Sequence, residues 1–153
     1  MRLTSKTNYA VRILMYCAAN EGHLSPTAEI AKAYGIPQPF LFHILRPLTE
    51  AGLVKTIQGR NGGVRLGRAA SEIDLLEVVT VTEDGFSMGE CSEEESPVKC
   101  PLINGCGLHS ALSHAISSFF AVLKQHTIQD LISTRPGIKR LLGIEPKESF
   151  AHH

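Results

Sequence analysis

Apolar residues recur every three or four positions in the first third of the chain, a spacing that predicts amphipathic helices. One helix is predicted over residues 4–19, and a shorter one begins at Ser25-Pro26 and stops at Gly35. A third is predicted over residues 38–51, where Pro47 should kink it or end it early. Two helices joined by a tight glycine-containing turn indicate a helix-turn-helix.

Two short runs rich in β-branched and apolar residues follow the third helix, at 53–57 and 64–66, and predict strands. The connection between them holds three glycines and an asparagine, which permit the positive φ angles of a hairpin tip. A hairpin directly after a helix-turn-helix predicts a wing, although a plain surface hairpin in a small α+β domain has the same pattern. DNA binding is preferred because cations cluster there, namely Lys55, Arg60, Arg65 and Arg68.

Further helices are predicted in the second half of the chain, and polar residues mark where they should begin. Ser71 is expected to cap a helix with apolar positions at 73–79, and Asp74 would complete its capping box. A long helix is predicted over 107–125, and Thr127 is expected to cap a last short helix over 128–133. Thr4 is the expected N-cap of the first helix.

The long helix carries a broad apolar stripe that a small winged domain cannot cover with its own core. A symmetric dimer interface is therefore the better interpretation, and it suits binding to two half-sites of DNA. The stripe consists of Leu108, Leu112, Ile116, Phe119, Phe120 and Leu123.

The composition agrees with one globular domain that carries an appendage. The chain has 153 residues and a mass of 16.6 kDa, with 43% apolar and 20% charged residues. No apolar run approaches the roughly 18–20 residues that a membrane span needs. Lys6 and Arg12 interrupt the first twenty residues, which argues against a secretory signal. We therefore expect a cytoplasmic protein without a membrane partner.

The formal net charge of zero conceals a sorted distribution. Residues 1–70 carry an excess of six positive charges, residues 71–100 an excess of eight negative charges, and residues 101–153 an excess of two positive charges. The first segment is a candidate surface for a polyanion, although a merely solvated surface fits the charge equally well.

Three of the four cysteines lie within sixteen residues, in an acidic stretch over 84–106 that lacks periodicity. Cys91, Cys100 and Cys106 have the spacing C-x8-C-x5-C, and His109 follows on the first turn of the long helix. Thiolates and imidazole bind iron–sulfur clusters and zinc, and a helix N-terminus stabilises a thiolate. The fourth cysteine, Cys17, lies on the apolar stripe of the first helix and is expected to be a small buried hydrophobe.

The spacing favours a cluster over structural zinc, because zinc ligands more often come in pairs two to four residues apart. A thiol redox switch ranks third, since the surrounding acidic residues would raise the pKa of the thiols. An enzyme is not expected. The chain has no glycine-rich phosphate loop, no paired carboxylates and no second cofactor motif, so no small-molecule substrate is expected either.

Several motifs together resemble the winged-helix iron–sulfur repressor family, which includes IscR, NsrR and the rhizobial iron regulator RirA. The resemblance spans about residues 1–143, and the segments 15–20, 100–102 and 106–108 look most like RirA. The motifs that carry it are Met1-Arg2-Leu3-Thr4, Gly52-Leu53-Val54, the wing sequence 59–66 and the cysteine loop.

The resemblance implies a mainly α fold with a small β-wing, built from a winged helix-turn-helix domain, a cysteine-bearing loop and a long dimerisation helix. It implies a homodimer that binds double-stranded operator DNA with an affinity set by an iron–sulfur cluster, [4Fe-4S] or [2Fe-2S]. Cys91, Cys100 and Cys106 are carried over as cluster ligands, and His109 matches the fourth, histidine ligand of IscR.

Three departures from the family pattern bear on these expectations. The gap between the first two cysteines is longer than is usual in the family. Asn8 stands where some nitric-oxide sensors have an acidic ligand, which weakens nitric-oxide sensing as the function. The positions that match base-reading residues of IscR hold Pro39, Phe42, His43 and Gln58, so the resemblance predicts no operator sequence.

The expected organisation is a DNA-binding region at 1–70, a connecting helix at 71–83, a cluster-binding loop at 84–106, dimerisation and short helices at 107–143, and a tail at 144–153. The expected function is a repressor that senses iron or iron–sulfur status. A nitric-oxide or redox sensor of the same family and a winged-helix factor with a structural Cys3His zinc site are the alternatives. The expected DNA contacts are Gln38 and His43 in the major groove, with Lys55, Gln58, Arg60, Asn61 and Arg65 from the wing.

Overall fold

The structure, a computed structural model, describes residues 2–89 and 100–144. Within those residues the chain is mainly helical with one small antiparallel sheet, as the sequence predicts. A short 3-10 turn over Ala70–Glu72 precedes α4. The elements in chain order are α1 (Ser5–Ala19), α2 (Thr27–Tyr34), α3 (Gln38–Glu50), β1 (Val54–Ile57), β2 (Gly63–Leu66), α4 (Leu75–Thr82), α5 (Gly107–Lys124), α6 (Ile128–Ser133) and α7 (Ile138–Leu141).

Helix α1 lies at the centre of the hydrophobic core, where it packs against α3, α4, α6 and β2. Ile13 and Leu14 of α1 are fully buried, and so are Ile44 of α3 and Ile128 of α6. Burial of a side chain of this size contributes roughly 1.5–3 kcal/mol to stability. The helix-turn-helix and the C-terminal helices therefore rest on the same central element.

Helix α3 runs through Pro47 to Glu50, so the expected early end at this proline does not occur. Proline removes the amide that would bond to the carbonyl four residues earlier, which belongs to His43. His43 is on the exposed side of the helix, where water can bind that carbonyl instead.

The two strands form an antiparallel hairpin whose tip needs fewer positive φ angles than its sequence suggests. Only Gly59 in the tip has a positive φ, of 112°, and Asn61 does not. Gly62 is needed for a different reason. The backbone of Ile57 passes so close that a Cβ added at Gly62 would lie 2.1 Å from the Ile57 carbonyl oxygen. The paired residues are Val54 with Leu66, Lys55 with Arg65, Thr56 with Val64, and Ile57 with Gly63.

The hairpin is fastened to the chain just before α2. Ser25 is buried and exchanges two backbone hydrogen bonds of 2.8 Å with Val64. The helix expected to start at Ser25-Pro26 therefore begins at Thr27, with Pro26 in the N-cap position. An added Cβ at Gly63 would lie 2.6 Å from the Ser25 carbonyl oxygen, so the close pairing requires glycine there. The hairpin and the helix-turn-helix form one body.

Two N-caps were predicted for helices in the second half of the chain, and the structure confirms one of them and corrects the other. Ser71 caps no helix, because it lies inside the 3-10 turn and the chain is extended again at 73. Asp74 is the N-cap of α4 instead, and its carboxylate accepts a bond of 2.8 Å from the Glu77 amide. Thr127 caps α6 as predicted, in a capping box with Asp130.

Helix α5 contributes no buried residue to the core, although it is the longest helix among the described residues. It packs on α4, and Phe86 from the preceding segment lies edge-on to Phe120 with ring centroids 5.0 Å apart. Leu108 and Val122 stay 67% and 53% exposed. Leu108 belongs to the predicted apolar stripe, whose other members are half-buried, and Val122 flanks it. The stripe is therefore only partly covered in a single copy of the chain.

Candidate nucleic-acid interface and cysteine site

The exposed face of α3 carries the two residues predicted to enter a major groove. Gln38, the first residue of the helix, and His43 are both exposed, whereas Leu41 and Ile44 on the opposite side are fully buried. The ring of His43 stacks on that of Phe40 at 6.5 Å between centroids and 19° between planes. The backbone of α3 is thus fixed by the core, and its polar side chains point to solvent.

The wing holds two cations directly opposite each other. Lys55 and Arg65 are cross-strand partners, and both are exposed. Neither takes part in the ion pairs seen among residues 2–89 and 100–144, which join Arg46 to Glu50 and Arg68 to Glu77. Like charges placed opposite each other in a sheet destabilise it. A bound polyanion would relieve that repulsion.

Helix α3 and the wing share one continuous surface. The hydroxyls of Thr49 on α3 and Thr56 on β1 form a hydrogen bond of 3.3 Å, which joins the exposed face of the helix to the wing. The remaining predicted wing contacts, Gln58, Arg60 and Asn61, are all exposed at the tip. The structure therefore brings all seven predicted DNA contacts onto connected exposed segments.

Arg68 differs from the other cations of the wing region. Its guanidinium pairs with the carboxylate of Glu77 on α4, and both side chains are about one-third exposed, at 38% and 34%. The charge of Arg68 is neutralised within the fold. Its proximity in sequence to Lys55 and Arg65 therefore does not make it part of the same cationic surface.

Two of the three clustered cysteines, Cys100 and Cys106, lie within the described residues; Cys91 lies outside them. Both described thiols are half-buried. Cys106 is the N-cap of α5, and its carbonyl accepts a bond of 3.1 Å from the Ser110 amide. His109 is the third residue of α5 and is half-buried as well.

The start of α5 suits a metal centre in its chemistry. Cys106 is the N-cap residue and His109 the third helical residue, the two positions whose side chains meet in a capping box. The positive end of the helix dipole favours a thiolate or an anionic cluster there. Soft thiol and imidazole donors fit both an iron–sulfur cluster and zinc. Among residues 2–89 and 100–144, a range that does not include Cys91, no three His, Cys, Asp or Glu side chains form a metal-binding group.

Cys17 belongs to a different class from the clustered cysteines. It is only 3% exposed, and its Sγ lies 3.9 Å from the carbonyl oxygen of Val64. Burial raises the pKa of this thiol to about 12. The prediction of a small buried hydrophobe is confirmed.

Glu83 is a connecting residue that the sequence pattern did not reveal. It follows α4 at the start of the acidic segment, and its carboxylate accepts bonds from the Thr4 amide at 2.7 Å and the Thr4 hydroxyl at 3.0 Å. The Thr7 hydroxyl donates to the same oxygen and shares a buried bond of 2.6 Å with Thr82. Thr4 thus occupies the N-cap position of α1 without making the cap bond predicted for it.

The electrostatics of Glu83 follow from these contacts. Partial desolvation raises its pKa, but the bonds from Thr7 and Thr4 and the charge of Lys6 together outweigh that effect and lower the pKa. The negative charge lies at the N-terminus of α1, where the helix dipole also favours it. No local sequence signal marks this contact, because its partners are more than seventy residues apart.

Within residues 2–89 and 100–144, no helix is long and apolar enough to cross a membrane.

Comparison with known proteins places these features in context. Residues 3–134 match the family model described as Rrf2, iron-dependent transcriptional regulator. The chain is 60% identical over 145 residues to protein aau3 of Rhizobium meliloti (strain 1021), an alignment that covers 95% of this chain and 94% of that protein. It is 40% identical over 144 residues to the HTH-type transcriptional regulator NsrR of Bacillus licheniformis, which covers 94% of this chain and all of the relative.

The fold also matches a solved structure. CymR (YrzC), the global cysteine regulator of B. subtilis, superimposes with a TM-score of 0.72 at 26% identity, over 88% of this chain and 98% of CymR. Its mainly helical architecture with a two-stranded wing is the fold class that the sequence predicts.

Proposed function

The chain belongs to the Rrf2 family of iron-dependent transcriptional regulators, and from that premise we propose that it is a dimeric repressor that senses iron or iron–sulfur status through a bound cluster. It is a DNA-binding regulator and not an enzyme, in keeping with relatives that are transcriptional regulators. The observation that carries the sensing proposal is that Cys106 and His109 begin α5, the helix with the uncovered apolar face.

The DNA contacts divide by chemistry. Gln38 and His43 on α3 reach base edges in the major groove, since amide and imidazole groups can bond to them. Lys55, Arg60 and Arg65 bind phosphates or enter the minor groove from the wing. The tip residues Gln58 and Asn61 add polar contacts beside Arg60. Exposure of all seven side chains supports this assignment.

The cluster ligands are Cys91, Cys100 and Cys106, with His109 as the fourth. The family description as iron-dependent and the chemistry of the start of α5 support this set. The cluster would supply a centre whose gain, loss or conversion reports iron status. We assign the chain to the RirA type because the segments 15–20, 100–102 and 106–108 resemble that regulator.

Dimerisation involves the apolar stripe of α5. Because α5 starts at the cysteine site, a change in ligation there would alter the position of the helix and hence of its counterpart in the partner. The distance between the two winged modules changes with it, which alters their fit to two half-sites. Phe86 transmits such a change as well, through its ring contacts with Phe119 and Phe120.

Isolation of the protein without oxygen tests the proposal. We expect brown protein that contains iron and sulfide, and binding to DNA selected from a random pool that differs about 5- to 150-fold after demetallation. Serine at Cys91, Cys100 and Cys106 should abolish both the colour and the difference, whereas Cys17→Ala should keep both. Equal DNA affinity of the two forms would refute cluster sensing.

The same preparation separates the alternatives. Colourless protein with one zinc per chain would identify a structural Cys3His site. A cluster that responds to nitric oxide but not to iron depletion would identify the nitric-oxide sensor. The second alternative has less support, because the side-chain amide of Asn8 donates to the Thr4 carbonyl at 3.2 Å and is a poor metal ligand.

A further inference from the structure

Phe42 is a large apolar side chain on the polar face of α3. It is 53% exposed, whereas the other exposed large apolar residues within 2–89 and 100–144 lie outside the helix-turn-helix. Phe40, two positions earlier, is the contrasting case, since it packs edge-on to Tyr9 at 5.5 Å between ring centroids. The fold therefore uses one phenylalanine of α3 and leaves the other to solvent.

The position of Phe42 on the helix ties it to the candidate DNA surface. Arg46 lies four residues later and Thr49 seven residues later, so all three share one stripe. Thr49 bonds to Thr56 of the wing at 3.3 Å. Gln38 lies four residues before Phe42 and starts the same stripe. Phe42 thus lies between a predicted base contact and the junction with the wing.

The chemistry of the major groove supplies one apolar partner for such a ring. Base edges there present hydrogen-bond donors and acceptors, and the methyl group of thymine is the apolar exception. Exposed cations on the wing favour a polyanion over a hydrophobic protein surface as the partner of this side of the molecule. A protein partner that buried Phe42 would also have to cover the repelling pair Lys55 and Arg65.

We propose that Phe42 contacts the 5-methyl group of a thymine in each half-site and thereby favours thymine at that position. This inference rests on the proposed DNA-binding function. It adds a specificity-determining residue whose apolar contact the polar side chains of α3 cannot make. The amide of Gln38, one turn earlier, suits an adenine. The two residues together favour an A·T-rich step beneath the start of α3.

The test uses DNA that the full-length protein selects from a random pool. Each thymine of the selected sequence is replaced in turn by deoxyuridine, which lacks only the methyl group. We expect one thymine per half-site whose replacement weakens wild-type binding roughly fourfold, the factor for one buried methyl group. Phe42→Ala should bind the two DNAs equally, and Phe42→Leu should retain part of the preference.

Matched variants and a stability measurement control for other causes. His43→Ala should keep the thymine preference, and Arg60→Ala should weaken binding to both DNAs by the same factor. Because Phe42 is exposed, the melting temperature of Phe42→Ala should equal that of the wild type.

Three outcomes would overturn the inference. The first is a wild-type protein that is indifferent to every replacement, and the second is a Phe42→Ala variant that keeps the preference. The third is a change in oligomeric state on Phe42→Ala with the preference intact, which would assign Phe42 to a contact between copies. A pool that yields no preferred sequence would refute the proposed function itself, and with it this inference.

Discussion

At the scale of the residue, the thiol of Cys17 is buried beside the carbonyl oxygen of Val64, and burial raises its pKa to about 12. A thiol reacts through its thiolate, so at pH 8 Cys17 should resist an alkylating reagent in the folded protein. Mass spectrometry after timed labelling should find Cys17 modified only in denaturant. Half-exposed Cys100 in metal-free protein is the internal comparison, and equal labelling rates for both would contradict the prediction.

Glu83 supplies a pH-dependent contribution to stability. Its pKa is lowered in the folded chain, so its contribution is complete above the ordinary glutamate pKa and disappears as pH falls through the lowered value. Glu83→Ala should reduce the free energy of unfolding by about 1–2 kcal/mol at pH 7, because it removes charge-assisted bonds from Thr4 and Thr7.

The difference should shrink steadily in denaturant titrations below about pH 4. Asp84→Ala, which alters the exposed neighbouring acid, is the matched control and should change stability little at either pH. A deficit of Glu83→Ala that stayed constant down to pH 2 would show that the carboxylate charge is not its source.

Residue-scale features differ in how far the sequence predicted them. Cys17 was predictable because helical periodicity alone places it on a buried stripe. Glu83 was not, since a bond between chain positions some eighty residues apart leaves no periodic trace. The exposure of Phe42 agrees with the resemblance, which matches this position to a base-reading residue.

At the scale of the element, the wing combines a repelling pair of cations with an exposed arginine at its tip. Arg60→Ala should weaken binding to all DNA sequences and lower the salt dependence of log K by about one unit, as for the loss of one phosphate contact. Fluorescence anisotropy over a salt series measures both effects. Arg68→Ala is the matched control, because its guanidinium already pairs with Glu77. An equal salt effect for the two variants would contradict the assignment.

The same hairpin should trade stability against binding. Lys55→Glu replaces a like-charge pair with an opposite-charge pair across from Arg65, which should stabilise the fold by about 0.2–1 kcal/mol. The substitution should at the same time reduce DNA affinity, since it places a negative charge on the cationic face. Thermal unfolding and DNA titration of this variant, with Lys55→Gln beside it, separate the two effects.

Element boundaries were predictable where local chemistry decides them and wrong where tertiary contacts do. The cap of α6 by Thr127 is local, and it was predicted, although its capping box with Asp130 was not. The N-cap of α2 is Pro26 and not Ser25 as predicted, because Ser25 pairs with Val64 nearly forty residues away.

At the scale of the whole molecule, helix α5 supplies apolar surface that a single chain leaves uncovered. Val122→Glu should convert the proposed dimer to a monomer without loss of helicity. Val122 flanks the apolar stripe of α5, is 53% exposed and is not buried in the core of its own chain, so a partner that covered the stripe would bury the introduced charge. Ala121→Glu, on the neighbouring exposed side of α5, is the matched control and should remain dimeric. Analytical ultracentrifugation measures the oligomeric state of both variants. If both were dimers, or both monomers, the assignment of the interface would be refuted.

The overall architecture could be predicted because order and periodicity of the elements sufficed for the winged helix-turn-helix and the long helix. The metal site remains a prediction, since Cys91 lies outside the described residues and the helix start shared by Cys106 and His109 suits both an iron–sulfur cluster and zinc. The operator sequence could not be predicted, because it depends on contacts that side chains such as Gln38 make only when DNA is bound.

The backbone hydrogen bonds between Ser25 and Val64 join the wing and the helix-turn-helix of each copy into one rigid DNA-binding module. Because the wing cannot tilt independently, the proposed dimer can change only the distance between its two modules and their rotation relative to each other. The strength of repression should then differ between promoters less through their base sequence than through the number of base pairs between the half-sites. One added base pair turns the second half-site by roughly 34–36° around the duplex.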